Sequence, residues 1–115
     1  MSNPIKRMSG TMAGGADHTA SYEAELDISS GLESEALIIP RGVSEIVVTV
    51  SGSEGFSCKV QTTTDSVEKV EEGLPLWESW VHGLVSGVKS GVCKRVTAIR
   101  LVREGDSYCR VTIVC

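Results

Sequence analysis

No run of apolar residues approaches the roughly 20 that a membrane-crossing helix needs. Residues 1–15 hold no apolar stretch of the kind a secretory signal requires. Basic residues are in the minority, 11 against 15 acidic for a net charge of -4. That excludes a nucleic-acid binder driven by phosphate contacts, which needs a basic face. Histidine is scarce, with His18 and His82 far apart, and none of Cys58, Cys93, Cys109 and Cys115 forms a CxxC pair. A zinc site is therefore not expected. Glycine-rich phosphate loops and dinucleotide fingerprints are missing. So is a nucleophile elbow, since Gly52-Ser53-Glu54-Gly55 reads as a loop. With 115 residues the chain fits one domain, and 41% hydrophobic with 23% charged residues excludes wholesale disorder.

Alternation at period 2 dominates what is present. Tyr22, Ala24, Leu26 and Ile28 alternate with Glu23, Glu25 and Asp27, which describes a half-buried strand. Further strands are expected over 35–39, over 45–51 with Ile46, Val48 and Val50 inward, and over 56–62 with Phe56, Cys58 and Val60 inward. The turn chemistry of Pro40-Arg41-Gly42 and of residues 52–55 separates them. Only residues 65–73 look helical, with Asp65 placed to cap and Gly73 to stop one or two turns. Residues 82–92, with Gly83, Gly87 and Gly91, are expected as an irregular hairpin. Strands over 95–103 and 108–115, joined by Glu104-Gly105-Asp106-Ser107, read as a second hairpin with Cys109, Val111, Ile113 and Cys115 inward. Seven or eight short strands with frequent turns predict an all-β fold, an antiparallel β-sandwich of jelly-roll or immunoglobulin-like kind. Residues 1–18 lack periodicity and are expected as a flexible, extended N-terminal arm, leaving 19–115 as the sandwich domain. The cysteines are expected as free thiols acting as small hydrophobes.

Candidate chemistry is thin. Glu68, Glu71 and Glu72 share a short helical turn, where a solvated face is the expected role rather than acid-base work. Aromatics make up 4% of the chain, yet Trp77 and Trp80 fall within four residues of each other. On a strand they would face opposite ways. Trp77, after Pro75, is expected in the core. Trp80, beside His82 and Gly83, is expected at a contact, and a carbohydrate-stacking platform is the functional extreme. No catalytic residue, cofactor or metal is expected. Eight of the acidic residues and only Lys6, Arg7 and Arg41 of the basic ones precede Cys58. Solvated strand faces account for this, with head-to-tail docking of copies as the alternative.

The stretch 45–115 resembles a group of small virion structural proteins of tailed bacteriophages. The likeness is carried by FSCKVQTTTD, by Trp77 with His82 five residues on, and by a closing pair of strands. In that pair the matching residues are Ala98, Ile99, Arg100, Leu101, Gly105, Val111, Thr112 and Ile113. The resemblance implies a β-sandwich without enzymatic activity, assembled in the host cytoplasm into the virion. The expected role is a capsid decoration or cement subunit that contacts the major capsid protein or neighbouring virion subunits through many weak contacts. A homo-oligomer, trimer or dimer, is expected, with no nucleic acid or membrane partner. Its contact residues are expected to be Trp80, His82 and, from the arm, Lys6, Arg7, Met8 and Met12. A neck or tail adaptor, or a fibre-attachment protein, is the alternative within that group. A carbohydrate-binding sandwich is the alternative outside it.

Overall fold

The computed structural model describes residues 5–7, 9–12 and 20–115, with side chains described at 5, 6 and 22–115. Among the described residues, ten strands form two five-stranded sheets. One sheet runs, in spatial order, β1 (Ile5–Arg7), β4 (Ala36–Ile38), β9 (Ala98–Arg103), β6 (Cys58–Thr63) and β7 (Glu78–Val85). The other runs β2 (Ser9–Met12), β3 (Ala20–Ile28), β10 (Cys109–Val114), β5 (Glu45–Gly52) and β8 (Lys89–Lys94). All pairings are antiparallel except β1 with β4. Strands β3 to β10 alone give the orders β3-β10-β5-β8 and β4-β9-β6-β7, and the chain changes sheet at almost every connection. That is jelly-roll order, not immunoglobulin order.

The alternating residues do face inward as their pattern predicts. Leu26, Ile46, Val48, Val50, Val111 and Ile113 from one sheet meet Leu37, Cys58, Val60, Ile99 and Leu101 from the other in one buried cluster. What alternation does not reveal is whether two neighbouring strands pair edge to edge or stack face to face. The expected hairpin over 95–115 is a case in point. β9 pairs with β4 and β6, while β10 pairs with β3 and β5. Residues 104–108 therefore arch between sheets. Buried Arg103 fixes the arch: its Nε and Nη2 donate to the Gly31 carbonyl at 3.1 and 2.7 Å, and Nη1 donates to the Asp106 carbonyl at 3.2 Å. The expected hairpin over 82–92 is corrected in the same way, since β7 and β8 lie in opposite sheets.

A second, smaller cluster lies on the outer face of the first sheet. Helix α1 (Val67–Glu72) covers it, packing Val70 and Val67 against Ile38 and Ala98. Ser66, not Asp65, is the N-cap, accepting from the Lys69 N–H, and Gly73 closes the helix in the left-handed conformation at φ 79°. The Asp65 carboxylate instead accepts from the Leu76 N–H at 2.7 Å, which fixes the loop leading to Trp77. Within the segment expected as an arm, β1 and β2 pair as the edge strands of the two sheets, so the arm boundary is not a boundary of the sheets. Met8 and the rest of that segment lie outside the described residues.

Candidate functional site

β1 and β2 close one flank of the sandwich, and β7 and β8 form the other. Each of the latter pairs on one side only, with β6 and with β5 respectively. Among the described residues, their outer edges carry no partner strand. Edge strands of this length expose a row of backbone N–H and C=O groups. Exposed apolar side chains, Val81 at 86%, Leu84 at 55% and Val88 of the joining turn at 75%, stand among exposed Glu78, His82, Lys89 and Lys94. His82, Leu84, Val85, Gly87, Val88 and Lys89 line a shallow cavity of about 230 Å³ at the turn between the two strands. β7 is irregular, with a register shift against β6 between Lys59 and Gln61. Bulges of this kind re-aim side chains on an edge.

Trp80 fastens this flank from inside. It is 6% exposed and belongs to the main core, which corrects its assignment to a contact. Its indole crosses to β8, where it lies over Gly91: a Cβ at that position would come within 2.5 Å of Trp80 Cζ2. Gly91, expected as a hairpin glycine, is thus required because the indole approaches its backbone. The buried Trp80 Nε1 finds no hydrogen-bond acceptor. His82, two residues on and exposed, meets the indole edge-on with ring centroids 4.4 Å apart.

Trp77, expected in the core, is half-buried at the surface. The Arg100 guanidinium lies 4.6 Å from its ring centroid, a cation-π contact. Arg100 is further held by Gln61, which accepts from Nε at 2.7 Å, and by Glu33, 2.7 Å from Nη1. Burial lowers the Arg100 pKa and Glu33 raises it, with burial the larger effect. A groove of about 240 Å³, bordered by Glu33, Ser34, Pro75, Trp77 and Arg100, lies beside this cluster. In the sequence Arg100 stood out only as one of the matching residues of the closing strands and Arg103 not at all, because an arginine on a strand gives no sign of its partners.

Of the arm residues expected at a contact, Lys6 is half-buried and donates to the Glu25 carbonyl at 2.8 Å, tying β1 to the opposite sheet. Arg7 and Met12 lie on β1 and β2 by their backbones, and their side chains fall outside the described residues, as does all of Met8. The four cysteines are free, with Cys58, Cys93 and Cys109 buried. Burial and the neighbouring Cys109 push the Cys58 thiol up to about 12. Burial also raises the Cys93 thiol. Such thiols stay protonated and unreactive near neutrality. Among the described residues, no group of three or more His, Cys, Asp or Glu side chains is placed to hold a metal ion.

No protein-family model and no curated protein matches the sequence. Solved structures of oxalate oxidase share the fold. Oxalate oxidase matches with a TM-score of 0.52 at 15% identity over 82% of this chain. Oxalate oxidase in complex with the substrate analogue glycolate matches at 14% identity with the same TM-score. This chain spans 40% of the length of those chains. The K1 cleaved adhesin domain of Lys-gingipain from Porphyromonas gingivalis W83 aligns over 96% of this chain and 83% of its own, at 10% identity and a TM-score of 0.35.

Proposed function

We propose that this chain is a structural subunit of a tailed-bacteriophage virion, a capsid decoration protein that acts by surface burial and not by catalysis. The supporting observation is the β7–β8 flank. Two long strand edges lie on one side of the sandwich, with exposed Val81 and Leu84 on β7 and Val88 in the turn that leads to β8. Lys89 and Lys94 put charge on the β8 edge, while the exposed apolar group of Val81, Leu84 and Val88 suits coverage by another chain. Jelly rolls recur in viral capsid domains, which supports the reading by fold analogy only. The partner is the major capsid protein or a neighbouring virion subunit, and the chain works as a small cyclic oligomer on the lattice. Many weak contacts then act together.

A carbohydrate-binding role has less to draw on. Trp80 is buried, and Arg100 covers a face of Trp77. A sugar that stacks on an indole needs an open ring face.

Hydrogen exchange tests the proposal. In the isolated chain, the outward-facing amides of β7 and β8 should exchange rapidly. In assembled particles they should be protected, while β3 and β10 change little. Equal exchange of β7 and β8 in both states would overturn the reading.

A further inference from the structure

A cavity of about 800 Å³ lies away from the β7–β8 flank. It is an open groove at the end of the sandwich where β4 leads to β5 and β8 leads to β9. Ile38, Ile39, Val43, Val67 and Val96 give it an apolar floor. Its rim carries two arginines, Arg41 and Arg95, with the hydroxyl-bearing Ser44 and Thr97 beside them. Glu68 is the one acidic side chain on the rim among the described residues. Both arginines are exposed, and neither has a carboxylate within ion-pair distance among the described residues. A chain with net charge -4 thus sets two positive charges against one negative around this apolar groove.

Arg95 stands out on a second count. Its φ is +55°, and it is the one non-glycine residue with positive φ among the described residues. Its N–H donates to the Ser44 carbonyl at 2.9 Å, which locks the conformation and ties both walls of the groove together. A side chain with a Cβ is disfavoured in this region, and glycine takes it freely. Five other left-handed positions are glycines: Gly31, Gly42, Gly55, Gly73 and Gly83. Folding alone would be served by glycine at 95 as well. Strain held at the rim of a groove points to a use for the side chain.

We propose that this groove binds an extended acidic segment of an assembly partner, with apolar side chains on the floor and carboxylates against Arg41 and Arg95. Guanidinium groups take carboxylates with two parallel hydrogen bonds, which gives orientation as well as attraction. Acidic and apolar residues on the segment match the arginine-bearing rim and the apolar floor. The proposal rests on the reading of the chain as an assembly subunit and assigns that subunit a second docking point, distinct from the strand edges.

The test uses the full chain and a dye-labelled hexapeptide alternating glutamate and leucine, with a lysine-leucine counterpart as control. Fluorescence polarisation should show binding of the first peptide, weakened by added salt, and none of the second. Amide NMR shifts should concentrate at Val43, Ser44, Arg95 and Val96. Arg95→Gly should weaken binding by about tenfold or more, with the melting temperature unchanged or raised, and Arg41→Ala should weaken it without a change in melting temperature. Equal binding of the two peptides, shifts centred on Val81 to Val88, or full affinity in Arg95→Gly would overturn the proposal. If the chain is found in virions but the peptide ignores the groove, the groove assignment alone fails. If the chain is missing from virions, the assembly reading fails whatever the peptide does.

Discussion

Replacing Trp80 with alanine should remove about 3 kcal/mol of folding stability, although the residue lies on an edge strand. The indole is 6% exposed. A buried aromatic removes roughly 150–250 Å² from water, which at about 25 cal/mol per Å² is worth about 4–6 kcal/mol. Against this stands its buried Nε1–H, which has no acceptor and already costs about 1–3 kcal/mol. Trp80→Phe discards that donor along with some apolar area, so it should lie within about 1 kcal/mol of the parent. Gly91→Ala should cost about 1–3 kcal/mol, because its new Cβ falls 2.5 Å from Trp80 Cζ2 and 3.0 Å from His82 Nε2. In the Trp80→Phe background the larger part of that clash is gone, so the two changes should couple by about 1 kcal/mol or more. Urea denaturation of the three single variants and the double variant measures all of these terms. Trp80→Ala should also lower the melting temperature by roughly 12–20 °C. The reasoning fails if Trp80→Ala stays within about 1 kcal/mol of the parent, or if Gly91→Ala costs the same with tryptophan and with phenylalanine at position 80.

Three further outcomes follow from the packing. Ile113→Asp places a charge in the fully buried cluster and should cost more than about 4 kcal/mol, while Thr112→Asp, outward and paired with Glu25, should cost less than about 1 kcal/mol; urea melts separate them. Arg103→Ala should cost about 2–3 kcal/mol by orphaning the Gly31 and Asp106 carbonyls, and Arg103→Lys should not restore it, because an ammonium cannot span both loops. The raised Cys58 thiol binds its proton more tightly folded than unfolded, so its contribution is complete below about pH 9, the unfolded value, and lost as pH rises towards about 12. Denaturation at stepped alkaline pH should show a steeper loss in the parent than in Cys58→Ala, by at most about 1.4 kcal/mol per pH unit.

The strands themselves were legible because their faces are so unequal. In β3 the acidic residues all point one way, and in β10 Cys109, Val111 and Ile113 all point the other. Their partners were not legible. A hairpin and an arch have the same local pattern, two alternating strands around a polar turn, and the difference lies in which sheet each strand joins. Arg103 shows why: the bonds that hold the last arch reach back to Gly31, more than seventy residues earlier in the chain. The tryptophans were exchanged for a related reason. Proximity to Pro75 suggested burial for Trp77, but burial was decided by Gly91 on the opposite sheet, which leaves room for Trp80. β1 and β2 escaped notice because three- and four-residue edge strands are too short to show a period. Arg95 is legible as unusual only through its backbone angle, which composition does not encode.

Counting copies of this chain in purified virions tests the central claim most directly. Quantitative mass spectrometry against the major capsid protein should find hundreds of copies per particle, released as the head lattice is loosened. Tens of copies or fewer, confined to the neck or tail, would contradict the decoration role, and absence from the particle would contradict a structural role in the virion altogether.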